Sequence, residues 1–240
     1  MPRQLRLLLP GVAAHVVHRA ADRRVCFRGD NDFILYLLHL RDLVVKHGTQ
    51  LHAYCLMSNH VHLLLSPSSS ESCQTMMKEL AQRYAQYFNR TSGRSGPLWT
   101  GRYYSCIAES ALYVLACYRY IEMNPVRAGM VGHPAGYKWS SYLANAEGVD
   151  DRLTSPHQEF VALGEGREVR LREYKNLLGE ALEPSLLARI RESTLGGYPL
   201  ASEEFKARIA ANYGTKLERS RPGPRQAATP LNSVPDPDLF

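Results

Sequence analysis

The sequence predicts an α+β fold: one antiparallel β-sheet with helices packed on it, followed by a small helical extension. Three observations predict it. Four short β-branched or alternating apolar runs lie in the first half of the chain, apolar stripes of helical spacing separate and follow them, and glycine, proline and asparagine mark the joins. Taken in order they read β-α-β-β-α-β, the ferredoxin-like arrangement, with one further helix appended. Such a plan puts helices on one face of the sheet and leaves the other open for a substrate or another subunit.

Residues 12–19, VAAHVVHR, are short and β-branched and form the first strand. Asp30 or Asp32 then caps a helix that runs to Lys46, where Gly48 stops it. Residues 51–57 and 60–66 are two strands joined by the two-residue link Ser58-Asn59, a tight antiparallel hairpin. Residues 71–89 carry Met76, Met77, Leu80, Tyr84 and Phe88 at helical spacing, a core-facing stripe. Residues 102–108 supply the fourth strand, and Ser110 caps a helix over 111–123 that Pro125 ends at Asn124. Beyond residue 147 four helical patterns follow, over 157–164, 167–182, 184–192 and 202–212, with glycines between them. The tail from Thr215 is rich in proline and poor in periodic apolar residues, the composition of a disordered segment. The expected division is 1–146, 147–214 and 215–240.

Composition bounds the function. With 240 residues, 45% of them hydrophobic, the chain can bury a sizeable core. No apolar run approaches the ~20 residues of a membrane span, and the arginine-containing start only imitates a signal peptide, so a cytoplasmic protein is expected. Five scattered cysteines without a C-x-x-C pair fit reduced thiols and not a zinc-thiolate site. The net charge of +6 favours a polyanionic partner.

The chain is organised around residues 54–65, YCLMSNHVHLLL. Alternation on a strand points His60 and His62 to one face, where two neutral imidazoles can chelate a divalent cation. Among nine histidines one His-x-His can also arise by chance, so the pair needs a partner elsewhere. His15 and His18 fall on opposite faces of the first strand and read as structural. The partner appears in ALYVLACYRYIEMN. At ~100° per residue Tyr113, Cys117, Tyr120 and Asn124 share one helix face, and Asn124, at the helix end, can turn its amide toward a cation. The loop RTSGRSGPLWTGRYY alternates Arg90, Arg94 and Arg102 with Trp99, Tyr103 and Tyr104. Guanidinium groups can contact phosphate and aromatic faces can stack on bases, although an ordinary exposed loop has the same composition. Arg119 can contact DNA or form an intramolecular salt bridge. Arg127 can hold a phosphate or neutralise a helix C-terminus. Trp139 and Tyr142 read as packing residues at the end of the domain. Arg167, Arg170, Arg172 and Lys175 read as a solvated helix face that could also grip a hairpin stem.

Four blocks, NHVHLL, GPLWTGRYYS, RYIEMNPVRAGMV and YKWSSY, resemble in order and spacing the REP-associated tyrosine transposases, relatives of the single-tyrosine insertion-sequence transposases with a His-hydrophobic-His metal motif. The likeness runs from about Pro2 to Tyr142 and implies a catalytic domain over 1–146. It implies an enzyme that cuts and joins single-stranded DNA at palindromic hairpins, with Mg²⁺ or Mn²⁺ as cofactor. His60 and His62 match the family's metal ligands, Tyr120 the nucleophile and Asn124 a third ligand. Arg90, Arg94, Trp99, Arg102, Tyr103, Arg119 and Arg127 are the expected DNA contacts. The implied reaction is transesterification through a 5′-phosphotyrosine, in a monomer or homodimer, near the nucleoid. The rival readings are a hairpin-binding or regulatory protein that does not cleave, and a small-molecule metalloenzyme on the same sheet.

Overall fold

Alternation along the strands decides what each face of the sheet carries, and this computed structural model, which describes residues 7–213, shows both faces filled. The strands β1 (Ala14–Arg19), β2 (Gln50–Leu56), β3 (His60–Ser66) and β4 (Tyr104–Ile107) alternate with the helices α1 (Asp30–Lys46), α2 (Ser72–Ser92) and α3 (Ala111–Glu122) in the predicted order. They form one sheet, β2-β3-β1-β4, in which every neighbouring pair is antiparallel. Register sorts the residues. His15 lies opposite Leu64, Val17 opposite His62 and Arg19 opposite His60, so all six share a face. Val16 opposite Leu63 and His18 opposite Val61 share the other.

The face of Val16, Val61, Leu63 and Leu65 packs against Tyr36, Leu40 and Leu43 of α1 and Met76, Leu80 and Tyr84 of α2. The opposite face was expected to stand open. Instead Val17, Cys55, Leu64 and Cys106 pack against Val114, Cys117, Tyr118, Tyr120 and Ile121 of α3 and against residues from the C-terminal helices. The reason is apolar area. Leaving Leu64 and α3's stripe in water would forgo about 1.5–3 kcal/mol per large side chain, and the chain has helices to cover them.

Those helices follow as α4 (Asn124–Arg127), α5 (Tyr142–Asn145), α6 (Gln158–Val161), α7 (Arg167–Gly179), α8 (Pro184–Gly196) and α9 (Glu203–Tyr213). Tyr174 of α7 and Ile190 of α8 are fully buried in the second core. Leu200 bridges to Ala108 in parallel, and its N–H donates to the Ile107 carbonyl at 2.8 Å, so the segment after α8 extends the β4 edge. The segment around Trp139 does the same at β2: the Leu56 N–H donates to the Trp139 carbonyl at 2.9 Å. Trp139 stacks on Phe33 with ring centroids 4.5 Å apart, which makes it the packing residue expected. The predicted tail from Thr215 lies outside the described residues.

The hairpin forms as predicted. The Met57 N–H donates to the His60 carbonyl at 2.8 Å across Ser58-Asn59. The turn is clamped from outside, because the Ser58 carbonyl accepts from the Cys26 N–H at 2.8 Å and the Asn59 carbonyl from the Ala20 N–H at 2.9 Å. Gly48, at φ +57°, follows α1 where a left-handed residue was expected. Other expectations need correction. Gly29, not an aspartate, precedes the first turn of α1, and buried Asp32 instead accepts from the backbone and guanidinium of Arg28. Ser110 stands at the start of α3 at φ +83° but makes no side-chain cap. α3 stops at Glu122, not Asn124, and Asn124-Pro125 open the short α4, where proline is tolerated because its missing N–H has no helical partner to lose.

Candidate active site

β3 holds His60 and His62 rigidly on one face, with ring centroids 4.8 Å apart. A hydrogen bond sets the tautomer of the first. Asn59 donates through Nδ2 to the Arg23 carbonyl at 3.4 Å, which turns its Oδ1 to His60 Nδ1 at 2.5 Å. An amide oxygen only accepts, so His60 carries its proton on Nδ1 and its lone pair on Nε2. His62 Nδ1 lies 2.9 Å from His15 Nε2, and the two rings stack at 5.2 Å. Burial, reinforced by Arg19, pushes the His60 pKa down to about 3. Burial, then the neighbouring His60, His15, Arg127 and Arg19, pushes His62 well down too. Both imidazoles are therefore neutral at physiological pH, the state in which they can ligate a cation.

α3 lays Tyr120 across this pair. Its ring centroid is 5.9 Å from that of His62 and 5.6 Å from that of His15, edge-on to both. The phenol is buried, and burial raises its pKa, while the guanidinium groups of Arg127 and Arg191 oppose that rise. Arg191 comes from α8 and lies close enough to Tyr120 for its charge to act on the phenol. Arg127 lies over the Tyr120 ring at 4.3 Å and donates to the Tyr120 carbonyl, so of its two predicted roles it visibly fills the one at the helix C-terminus. Asn124 is buried at the start of α4, and its Nδ2 makes no hydrogen bond, an unsatisfied group of the kind a ligand or substrate oxygen completes. Two buried imidazoles and a buried phenol thus meet on this face of the sheet beside two half-buried guanidinium groups, a set whose chemistry suits a phosphate.

Comparison with known proteins agrees with that chemistry. Residues 9–124 match the family of IS200-like transposases. These residues are an IS200-like transposase domain. The match spans β1 to Asn124 and so includes both histidines and Tyr120. Among solved structures, the chain is similar to a REP-associated tyrosine transposase bound to a REP hairpin, at 15% identity and a TM-score of 0.53, over 65% of this chain and 92% of that one. That likeness shows the fold. Weaker likenesses link it to a protein from Deinococcus radiodurans R1 described as a transposase (19% identity, TM-score 0.36, 47% and 89% covered) and to a tRNA(His) guanylyltransferase from Saccharomyces cerevisiae (11% identity, TM-score 0.33, 77% and 86% covered). None of the curated proteins compared matches the chain.

The remaining predicted residues of the transposase domain sort by exposure. Arg90, Arg94 and Arg102 are exposed. Arg102 and Tyr103 line a surface cavity of about 500 Å³ together with His18 and Lys78. Trp99 does not present a face for stacking: it is 7% exposed, stacks on His18 at 4.3 Å and donates its indole N–H to the Ala81 carbonyl at 3.1 Å. Burying an indole that can still pair its N–H gains more than exposing it. Arg119 donates to the Glu180 carbonyl. Lys175 pairs with Glu147 and Arg172 with Glu173, as expected of a solvated helix face. Sequence reasoning missed His15, Arg191 and Thr194. Alternation along β1 alone gives His15 no partner beyond its own strand, whereas its ring meets His62 across the β1–β3 register. Arg191 and Thr194 lie on α8, outside the resemblance.

Among the described residues no three His, Cys, Asp or Glu side chains form a metal cluster, and no helix is long and apolar enough to cross a membrane. The donor set nevertheless fits a cation. Two neutral imidazoles, of which His60 keeps its lone pair on Nε2, and a buried carboxamide at Asn124 make an N/O site that substrate oxygens would complete.

Proposed function

We propose that this transposase is a metal-dependent single-stranded DNA endonuclease and strand transferase that acts on palindromic hairpins through a 5′-phosphotyrosine on Tyr120. The observation that supports it best is the placement of the Tyr120 ring within 6 Å of His62 on the buried face of the sheet. His60, His62 and Asn124 would hold Mg²⁺ or Mn²⁺. Such an ion, when bound, supplies Lewis-acid polarisation of the scissile phosphate.

The chain's own residues account for the rest. The Tyr120 hydroxyl oxygen forms a bond to phosphorus, the P–O3′ bond breaks, and the 3′-oxygen leaves as a hydroxyl. The bond energy is kept in the phosphotyrosine, so rejoining to a 3′-hydroxyl needs no nucleotide. Burial keeps the phenol protonated at rest, and it loses its proton as it attacks. Arg127 and Arg191 now cover Tyr120, so a phosphate entering the site meets these two cations first and finds charge already in place. Arg90, Arg94 and Arg102 are exposed and take the DNA backbone. The solved relative bound to a REP hairpin supports a hairpin as the partner.

The experiment is incubation of single-stranded palindromic DNA with protein and Mn²⁺ or Mg²⁺. A denaturation-resistant protein–DNA adduct that is absent from Tyr120→Phe supports the enzyme. A mobility shift of the hairpin with no adduct under either metal would support a binder that does not cleave.

A further inference from the structure

The last turn of α8 is wired to the metal-ligand histidine. Thr194 is 1% exposed, and its Oγ1 lies 2.9 Å from His15 Nδ1. The other nitrogen of His15 lies 2.9 Å from His62 Nδ1. The Thr194 hydroxyl has one proton; of its neighbours the Ile190 carbonyl one turn back, at 2.8 Å, can only accept and takes it, while the Cys106 thiol, at 3.3 Å, can itself donate to the hydroxyl oxygen. The Thr194 oxygen must therefore accept from His15. His15 then carries its proton on Nδ1, offers the lone pair of Nε2, and receives the Nδ1 proton of His62. The opposite relay, with the proton of His15 on Nε2, would set the Nδ1 lone pair against the hydroxyl's own. Only the first leaves the lone pair of His62 on Nε2, the same nitrogen that Asn59 selects on His60.

We propose that Thr194 is a positioning residue of the catalytic centre: acting through His15, it fixes the tautomer and ring orientation of His62 so that Nε2 faces the cation. This rests on the reading of His62 as a metal ligand. A second contact shows that α8 belongs to the site. Arg191 stands three residues before Thr194 on the same helix face and sets its guanidinium near Tyr120. One helix, beyond the part that matches the transposase family, thus touches both the nucleophile and the support of a ligand.

The test uses the full chain with ¹⁵N-labelled histidine. In metal-free wild type, the ring-nitrogen shifts should show His62 protonated on Nδ1. Thr194→Val, which keeps the shape and removes the hydroxyl, should give a mixed His62 tautomer and weaken Mn²⁺ binding about tenfold. Thr194→Ser should restore both. A wild-type His62 protonated on Nε2 would overturn the proposal with no variant needed. So would a Val variant with unchanged tautomer and Mn²⁺ affinity, or a Ser variant that loses both as Val does, which would assign the effect to the γ-methyl. The tautomer is read without metal and wild-type Mn²⁺ affinity separately, so the relay and the metal reading can fail independently.

Discussion

At the scale of single residues the site joins two opposed demands. Burial makes His60 and His62 neutral, which suits a cation, but the same burial raises the pKa of Tyr120, which opposes attack. Arg127 and Arg191 are the local answer to the second demand. His60→Ala should therefore lower cleavage by about 100-fold or more while hairpin affinity stays within a few-fold, as measured by adduct yield and mobility shift. Equal loss of both would mean that the histidine serves the fold. Trp99 and Arg102, neighbours in one loop, should separate cleanly. Trp99→Ala should cost about 3–5 kcal/mol in denaturant unfolding because it empties a packed site between His18 and α2. Arg102→Ala should leave stability within about 0.5 kcal/mol, weaken DNA binding and reduce the salt slope of log K by about 1. Alternation placed His60 and His62 on one strand face and helical period placed Tyr120 with Asn124, because both are local rules; their proposed roles came only with the family resemblance. The sequence could not show His15 on His62, because that contact depends on which strands are neighbours and in what register.

Among the elements, α8 departs most from expectation. Its apolar spacing was visible over 184–192, but the helix runs one turn further to Gly196, and that turn carries Thr194. Gly197 at φ +71° ends it, a left-handed cap within a Gly-Gly pair whose sequence does not say which glycine stops the helix. α3 shows the reverse error. Pro125 was read as a stop at Asn124, whereas the chain breaks at Met123 and uses the proline to start a new turn. α3 is also anchored more firmly than its stripe suggests. Buried Glu122 accepts from Ser141 at 2.6 Å, Asn145 at 2.7 Å and Tyr174 at 2.7 Å, tying the helix that carries Tyr120 to its C-terminal neighbours. Ile190→Ala, which opens a cavity beneath α8, should cost about 2–5 kcal/mol in unfolding. It should also lower adduct yield in protein that remains folded, since Arg191 and Thr194 ride on that helix. Unchanged yield with lowered stability would make α8 a cover and nothing more.

For the whole molecule, the succession of elements and an antiparallel sheet followed from sequence, but the covering of its second face did not. A stripe on α3 says that something must be buried, not which later helices will share the burial. The buried histidines give the whole protein a pH signature. His15 and His60 are held down to about 3 and His52 to about 4, each chiefly by burial. The unfolded chain takes up these protons near 6.5 and the folded one does not, so stability is lost as pH falls below 6.5. Glu122 works the other way: burial raises it to about 7, so its contribution weakens as pH rises from about 4.5 to 7. Three histidines outweigh one carboxyl. The Tm of metal-free protein should fall steadily between pH 6.5 and 4.5, and a flat or rising Tm there would mean that the rings are solvated.

The proposed chemistry depends on one buried phenol becoming a covalent carrier of DNA. Mass spectrometry of the adduct formed on a single-stranded palindrome with Mn²⁺ measures that directly. The account predicts a nucleotide remnant on the peptide containing Tyr120, joined through a 5′-phosphate to the phenolic oxygen. A remnant on any other residue would contradict it.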